Sequence, residues 1–240
     1  MIDFTLNPAL DLDTLAARFR SRGFVQIPEP FTAVTADRLH ACLSQEVPWG
    51  FAWYDGEEGA RFLRAAELQS MPASRMQELE QQIYRSARTG YQYAYNSYPM
   101  LDAHLEGWNE VPLLDAFLLM LNDTPMLEAI RRITGFDDII KADAQATRYG
   151  PGQFLHQHVD HGMPGQVWRA AYIYNLTPSW HPNWGGYLQL LDEKGDISAG
   201  LIPRFNVLNL LAVPQPHMVS MVNAFAGAQR YAITGWFRSQ

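Results

Sequence analysis

The sequence predicts a mainly β fold, a sandwich or double-stranded barrel, with helices packed against it from the N-terminal side. Three observations point there. Residues 12 to 135 are punctuated like helices, apolar runs of helical period closed by Gly. From Ile139 the pattern changes to short runs rich in β-branched and aromatic residues, broken by Gly and Pro at the spacing of a sandwich or barrel. The 240 residues, 48% of them hydrophobic, suffice for one generous core, and no repeat, low-complexity stretch or linker divides them. A single catalytic domain over 1–240 is therefore expected, with 1–138 a largely helical support region and 139–240 the β core.

The elements follow in order. LDTLAARFRSRG ends at Gly23, a residue that takes the left-handed conformation past a helix end without strain. A helix starting near Thr32 carries Leu39 and Leu43 four apart on one face. SRMQELEQQIYRSARTG closes at Gly90. TPMLEAIRRITG has Thr124 as its N-cap, Pro125 at the first helical position and Gly135 past its end. Seven or eight strands are then expected, from KADAQATRY, QFLHQHVD, WRAAYIYNL, GGYLQLL, FNVLNLLAV, HMVSMV and RYAITGWF.

Composition excludes several classes. A net charge of -7 and a pI near 5.4 leave no basic stripe for nucleic acid. No stretch is apolar for long enough to span a bilayer, and MIDFTLNPALDLD carries acids where a secretory signal carries Lys or Arg. One cysteine, Cys42, rules out an internal disulfide framework and fits a reducing cytoplasm; within LHACL it reads as a small core hydrophobe. Oligomeric state is not encoded legibly.

Chemistry concentrates in YGPGQFLHQHVDH, where His156, His158, Asp160 and His161 fall within six positions. On a strand, alternate side chains share a face, so His156, His158 and Asp160 can all face the interior, with His161 turned away unless the strand has ended. Parity alone leaves the choice open. An open iron(II) site takes two imidazoles and one carboxylate, leaving further positions free. His158 and Asp160 supply one of each, and His217 in PQPHMVSMV is the best-placed second imidazole. A rival register starts from Gly150 and His156-Gln157-His158, the opening of a cupin metal motif, but that motif next needs a Glu where positions 162 and 163 hold Gly and Met. His40, His104 and His181 sit in helical or loop contexts and read as solvated or core residues.

Residues 143 to 238 resemble the double-stranded β-helix, or jelly-roll, of the 2-oxoglutarate- and iron(II)-dependent oxygenases, and within them the prolyl-hydroxylase branch. The matching pieces stand in family order: Tyr149-Gly150, the phenylalanine-leucine before the HxD of His158 and Asp160, Gly185-Gly186 opening GGYLQLL, His217-x-Val, and RYAITGWF from Arg230. YAYNSYPM resembles segments of bacterial proline-hydroxylase-like members. The resemblance implies Fe(2+) held by His158, Asp160 and His217, with 2-oxoglutarate as cosubstrate and ascorbate as an accessory. It implies oxidative decarboxylation to succinate coupled to hydroxylation, since halogenating relatives carry a small residue where Asp160 stands.

Alternation supports the cosubstrate assignment without the family. Arg230, Ala232, Thr234 and Trp236 share one face of their strand, and Arg230 with Thr234 suits a two-pronged, charge-assisted hold on the distal carboxylate of 2-oxoglutarate. Tyr149 shares parity with Asp143, Gln145 and Thr147, opposite Ala142, Ala144 and Ala146, so the odd positions form a polar interior face. Its phenol resembles the family tyrosine that donates to the cosubstrate. Asn175 stands where the branch often has a tyrosine and is the second polar candidate. The expected substrate is a prolyl residue in a protein or peptide; the alternatives are free proline or another small metabolite, and a cupin-type metal protein without 2-oxoglutarate chemistry. A nucleobase demethylase fits less well, because RYAITGWFR lacks that branch's closely following second arginine with an asparagine between. For a peptide groove, Trp49, Trp53, Tyr93, Tyr95, Trp180 and Trp184 are the aromatic supply.

Overall fold

The computed structural model describes residues 4–162 and 165–239. The chain begins with α1 (Leu12–Arg22), β1 (Phe24–Pro28) and α2 (Ala33–Gln45). β2 (Gly50–Asp55) and β3 (Gly59–Leu63) form a hairpin, followed by α3 (Ala65–Ser70), α4 (Ala73–Ser86) and β4 (Tyr93–Tyr98). Three helices come next: α5 (Met100–Leu105), α6 (Pro112–Leu121) and α7 (Thr124–Thr134). The β region then runs β5 (Lys141–Ala142), β6 (Gln145–Tyr149), β7 (Phe154–His158), β8 (Trp168–Asn175), β9 (Leu188–Leu191), β10 (Ile197–Leu201), β11 (Val207–Ala212), β12 (His217–Val219) and β13 (Arg230–Arg238).

Helix ends follow local chemistry. Asp11 and Thr32 cap α1 and α2 by accepting from Thr14 N and Thr35 N, and Gly23 closes α1 at φ 71°. Leu39 and Leu43 are fully buried, as their spacing predicts. α7 starts one residue earlier than expected. Asp123, not Thr124, is the cap and accepts from Met126 N, with Thr124 and Pro125 in the first turn. Either side chain can cap, and a carboxylate also favours the positive end of the helix dipole.

All strands join one antiparallel network in the order β1-β11-β8-β13-β6-β4-β7-β12-β9-β10, with β2 and β3 branching from β4 and β5 pairing with β13. Side chains from β4, β6, β7, β8, β9, β12 and β13 line a common cavity, so the network closes around it as a jelly roll. The outer face packs on the helices: Ala142, Ala144 and Ala146, with Ile233 and Phe237, share one buried cluster with Leu39, Leu43, Phe117 and Ile130. The small alanines let the helices lie close, and the odd positions opposite them are left for the interior.

The N-terminal region is less helical than expected. Four strands lie within residues 1–138, and β4 sits inside the sheet between β6 and β7. Its sequence YAYNSY alternates, which is a strand period; the helix punctuation on either side masked it. No helix among the described residues is long and apolar enough to cross a membrane. Cys42 is buried, and burial pushes its thiol up to about 11, the behaviour of an inert core residue.

Candidate metal centre and cosubstrate pocket

β7 and β12 run antiparallel with His158 directly opposite His217. Val219 pairs with Leu155, so β7 carries one more residue than β12 between the two pairings. This bulge breaks the alternation. His158 lines the cavity together with Leu155 and Gln157, whereas His156 does not. The His156 ring packs on Phe154 with centroids 4.8 Å apart, and its Nδ1 lies 3.3 Å from Gly90 O. The expectation that His156 shares the face of His158 is thereby corrected, and the cupin register, which needs His156 as a ligand, loses its donor. β7 ends at His158, so Asp160 and His161 belong to a loop; Asp160 turns inward at 6% exposure and His161 stands exposed at the rim.

One ligand atom from each of His158, Asp160 and His217 lies within 4.8 Å of the others. Asp160 Oδ1 is 3.5 Å from His158 Nε2, and its Oδ2 is 3.7 Å from His217 Nε2. Both imidazoles are oriented by main chain. His158 Nδ1 lies 3.0 Å from His156 O and His217 Nδ1 lies 2.8 Å from Gln215 O. A carbonyl only accepts, so each Nδ1 carries the hydrogen and each Nε2 presents its lone pair toward the carboxylate. Protonation is favourable too. Burial raises the Asp160 carboxyl, but His158, His217 and Trp236 together outweigh it and hold it below its ordinary value. Burial, then the nearby His158, pushes the His217 imidazole below its ordinary value and favours its uncharged form. Two imidazoles and a carboxylate converging from one side form the donor set of an open iron(II) site.

The cavity measures about 600 Å³. Arg230, at 2% exposure, enters it from the start of β13, directly opposite Tyr149 on β6. Its guanidinium lies 5.1 Å from the centroid of the Tyr149 ring, which in turn stacks on Tyr95 at 5.0 Å. Arg230 has no acidic partner among the described residues, and its buried Nε makes no hydrogen bond. A buried cation in this state is costly unless an anion meets it, so the site fits the distal carboxylate of 2-oxoglutarate. Thr234 lines the same wall four residues along β13, opposite Gln145. Asn175 is fully buried but is not a lining residue; its Nδ2 donates to Ile173 O and Val207 O at 3.4 and 3.3 Å. Of the four residues expected at the cosubstrate, it is the one the cavity does not reach.

Of the six aromatics expected at a groove, only Tyr93 and Tyr95 line the cavity. Trp49 donates to Leu43 O, Trp53 stacks on Phe51, and Trp180 pairs edge-on with Trp184 and donates to Gly185 O. Tyr91 and Trp168, not anticipated, complete the aromatic wall, Trp168 stacking on Trp236 at 4.1 Å. Tyr91 was within reach of sequence reasoning, since Tyr91, Tyr93 and Tyr95 alternate as one strand face does.

Comparison with known proteins places this architecture. Residues 144–238 match the model of the 2OG-Fe(II) oxygenase superfamily. Over that region the chain is similar to the 2-oxoglutarate- and iron(II)-dependent oxygenases, enzymes that use Fe(2+) and 2-oxoglutarate. Among solved structures, a prolyl-4-hydroxylase from Pseudomonas putida is similar at TM-score 0.57 and 17% identity, over 95% of this chain and 99% of that one. A Trichoplax adhaerens prolyl hydroxylase, in complex with a hypoxia inducible factor oxygen degradation domain peptide fragment, gives 0.58 and 16%, over 94% and 88%. The carbocyclase SnoK from nogalamycin biosynthesis gives 0.57 and 14%, over 98% and 86%. These identities establish a shared fold. No curated protein matches the chain in sequence.

Proposed function

We propose that residues 1–240 form one catalytic domain, acting in the cytoplasm, that hydroxylates a prolyl residue in a protein or peptide. In this reading His158, Asp160 and His217 hold Fe(2+), while Arg230, Thr234 and Tyr149 hold 2-oxoglutarate. The observation that carries the substrate class is the charge inventory of the cavity. Among its described lining residues there is one carboxylate, Asp160, and one guanidinium, Arg230, and both are taken by metal and cosubstrate. Free proline carries an ammonium and a carboxylate, each of which would enter without a partner, at a cost that an amide-linked prolyl ring avoids. The remaining wall, with Tyr91, Tyr93, Tyr95 and Trp168, suits a neutral ring.

When bound, iron and 2-oxoglutarate supply the oxidising chemistry, loss of carbon dioxide from the cosubstrate coupled to insertion of one oxygen atom into the substrate. The chain's own residues position the parts. His158 and His217 present Nε2, held by their Nδ1 bonds to main chain. Arg230 neutralises the distal carboxylate deep in the barrel, and Tyr149 beneath it supplies a phenol at the same depth. The tyrosine face of β4 closes one side against water.

The test is mass spectrometry of proline-containing peptides, free proline and small neutral metabolites after incubation with enzyme, iron, 2-oxoglutarate and ascorbate. A gain of one oxygen on peptidyl proline is expected. Modification of free proline with no peptide touched would reject the peptide reading; modification of a neutral metabolite alone would reassign the substrate while leaving the charge inventory intact.

A further inference from the structure

A prolyl nitrogen within a chain carries no hydrogen, so beside the target ring the substrate backbone offers two carbonyl acceptors and no donor of the ring's own. A cavity that selects such a ring must therefore donate. Several polar groups of the wall are already engaged within the protein. Thr147 Oγ1 donates to Ala232 O at 3.3 Å, the Tyr172 hydroxyl to Asp143 O at 2.9 Å, and Trp168 Nε1 to Gln166 Oε1 at 3.3 Å.

Gln145 stands where a donor is needed. It lines the cavity from β6, directly opposite Thr234 and four residues from the level of Tyr149 and Arg230. Ser97, at 3% exposure on the neighbouring β4, donates its hydroxyl to Gln145 Oε1 at 3.0 Å. The carbonyl end of the amide is thus taken, and the NH2 end is left for other partners. Nε2 has no acceptor among the described residues, and it is not one of the buried polar atoms sealed off without one. Gln145 also stands at a junction. With Thr234 and Trp236 it lines both the main cavity and an adjoining chamber of about 200 Å³. The main cavity houses a lone ring; a chain continuing beyond the ring needs a second space beside it. We infer that Gln145 is a specificity-determining residue: its Nε2 donates to a carbonyl oxygen flanking the prolyl ring and directs the chain toward the adjoining chamber. The inference rests on the peptidyl-proline reading above. An amide held from behind by Ser97 loses little freedom when it donates, the advantage of a pre-organised contact.

The test is binding of a fluorescein-labelled proline peptide from the mass-spectrometric panel, read by anisotropy on protein loaded with Zn(2+) and 2-oxoglutarate, where no turnover occurs. Each carbonyl flanking proline is replaced in turn by a thiocarbonyl, which keeps the shape and accepts hydrogen bonds more weakly. In wild type one of the two replacements should raise the Kd about 3–10-fold, the weight of one neutral hydrogen bond. Gln145→Met keeps the side-chain length and removes the donor. It should weaken the parent peptide by a similar factor and bind parent and thio-peptide alike. Ser97→Ala, which frees the amide to turn, should raise the Kd less. If Gln145→Met folds poorly, Gln145→Glu keeps the anchored oxygen, replaces the donor by an acceptor and must show the same loss. Discrimination that persists in these variants would hand the donor role to another group, such as a phenol of β4, and overturn the inference; so would wild type that binds both thio-peptides as tightly as the parent. Wild type that neither binds nor hydroxylates any proline peptide would sink the peptide reading and this inference with it, a failure told apart because it precedes any variant.

Discussion

Arg230 is a buried cation that meets no acid among the described residues, and the consequences of that are measurable. Removing one side of a buried charge-assisted contact costs roughly 2–5 kcal/mol. Arg230→Ala should therefore raise the KM for 2-oxoglutarate at least tenfold, and Thr234→Val, which removes only a hydroxyl, should raise it less; a succinate-release assay against 2-oxoglutarate concentration reads both. Unchanged dependence in Arg230→Ala would remove it from the cosubstrate site. At the metal, His158→Ala, Asp160→Ala and His217→Ala should each lose Fe(2+), while His156→Ala keeps it. The sequence made these residues legible because HxD spacing and the alternation of RYAITGWF are local patterns. It did not separate His156 from His158 by parity, because the bulge that turns His156 outward arises from how β7 pairs with β12. Pairing between segments some sixty residues apart leaves no local trace, as the hidden seating of Trp236 on Asp143 also illustrates.

At the scale of elements, helices were read best where both ends carried punctuation. α1 and α7 have a capping side chain before them and a left-handed glycine after them; α5 and α6 lack a side-chain cap and were not anticipated. Asp123→Ala should cost about 1 kcal/mol by loss of the α7 cap, lowering Tm by about 2–4 °C in a chain of this size. Strand β4 shows the opposite case, a short alternating run whose position between β6 and β7 only tertiary pairing reveals. The junction of β5, β6 and β13 makes a pH-dependent prediction. Burial raises the Asp143 carboxyl from its ordinary 3.8 to about 6, against the opposing pull of the Trp236 N–H and Arg238. A carboxyl raised on folding binds more protons in the native state, so its contribution is most favourable below pH 4 and is lost as pH rises through about 6. Asp143→Asn keeps an acceptor for Trp236 N without the charge. Its Tm relative to wild type should climb between about pH 4 and 6 and then level off, the ceiling being roughly 3 kcal/mol at 1.36 kcal/mol per unit. A difference that does not vary across that window would contradict the assignment of a buried, titrating Asp143.

For the molecule as a whole, the succession of strands after Ile139 was readable, and so was the fold they build. The strand order was not, since it depends on which runs meet in space, and neither was the extent to which N-terminal segments enter the sheet. One apolar cluster ties α1, α2, α6 and α7 to β8, β11 and β13, and of these strands β8 and β13 also line the cavity. The helices thus back the wall that carries Arg230, while the metal triad comes from the pair β7 and β12 and the loop that follows β7. Cosubstrate and metal sites belong to different strands of one barrel and must work across the space between them. The most direct measurement is an anaerobic titration of 2-oxoglutarate into the iron(II)-loaded protein followed by visible absorption. A charge-transfer band that requires both iron and 2-oxoglutarate is expected in wild type, shifted to far higher 2-oxoglutarate in Arg230→Ala and missing in Asp160→Ala. No band in wild type, or an unaltered titration in both variants, would contradict a site built from His158, Asp160, His217 and Arg230.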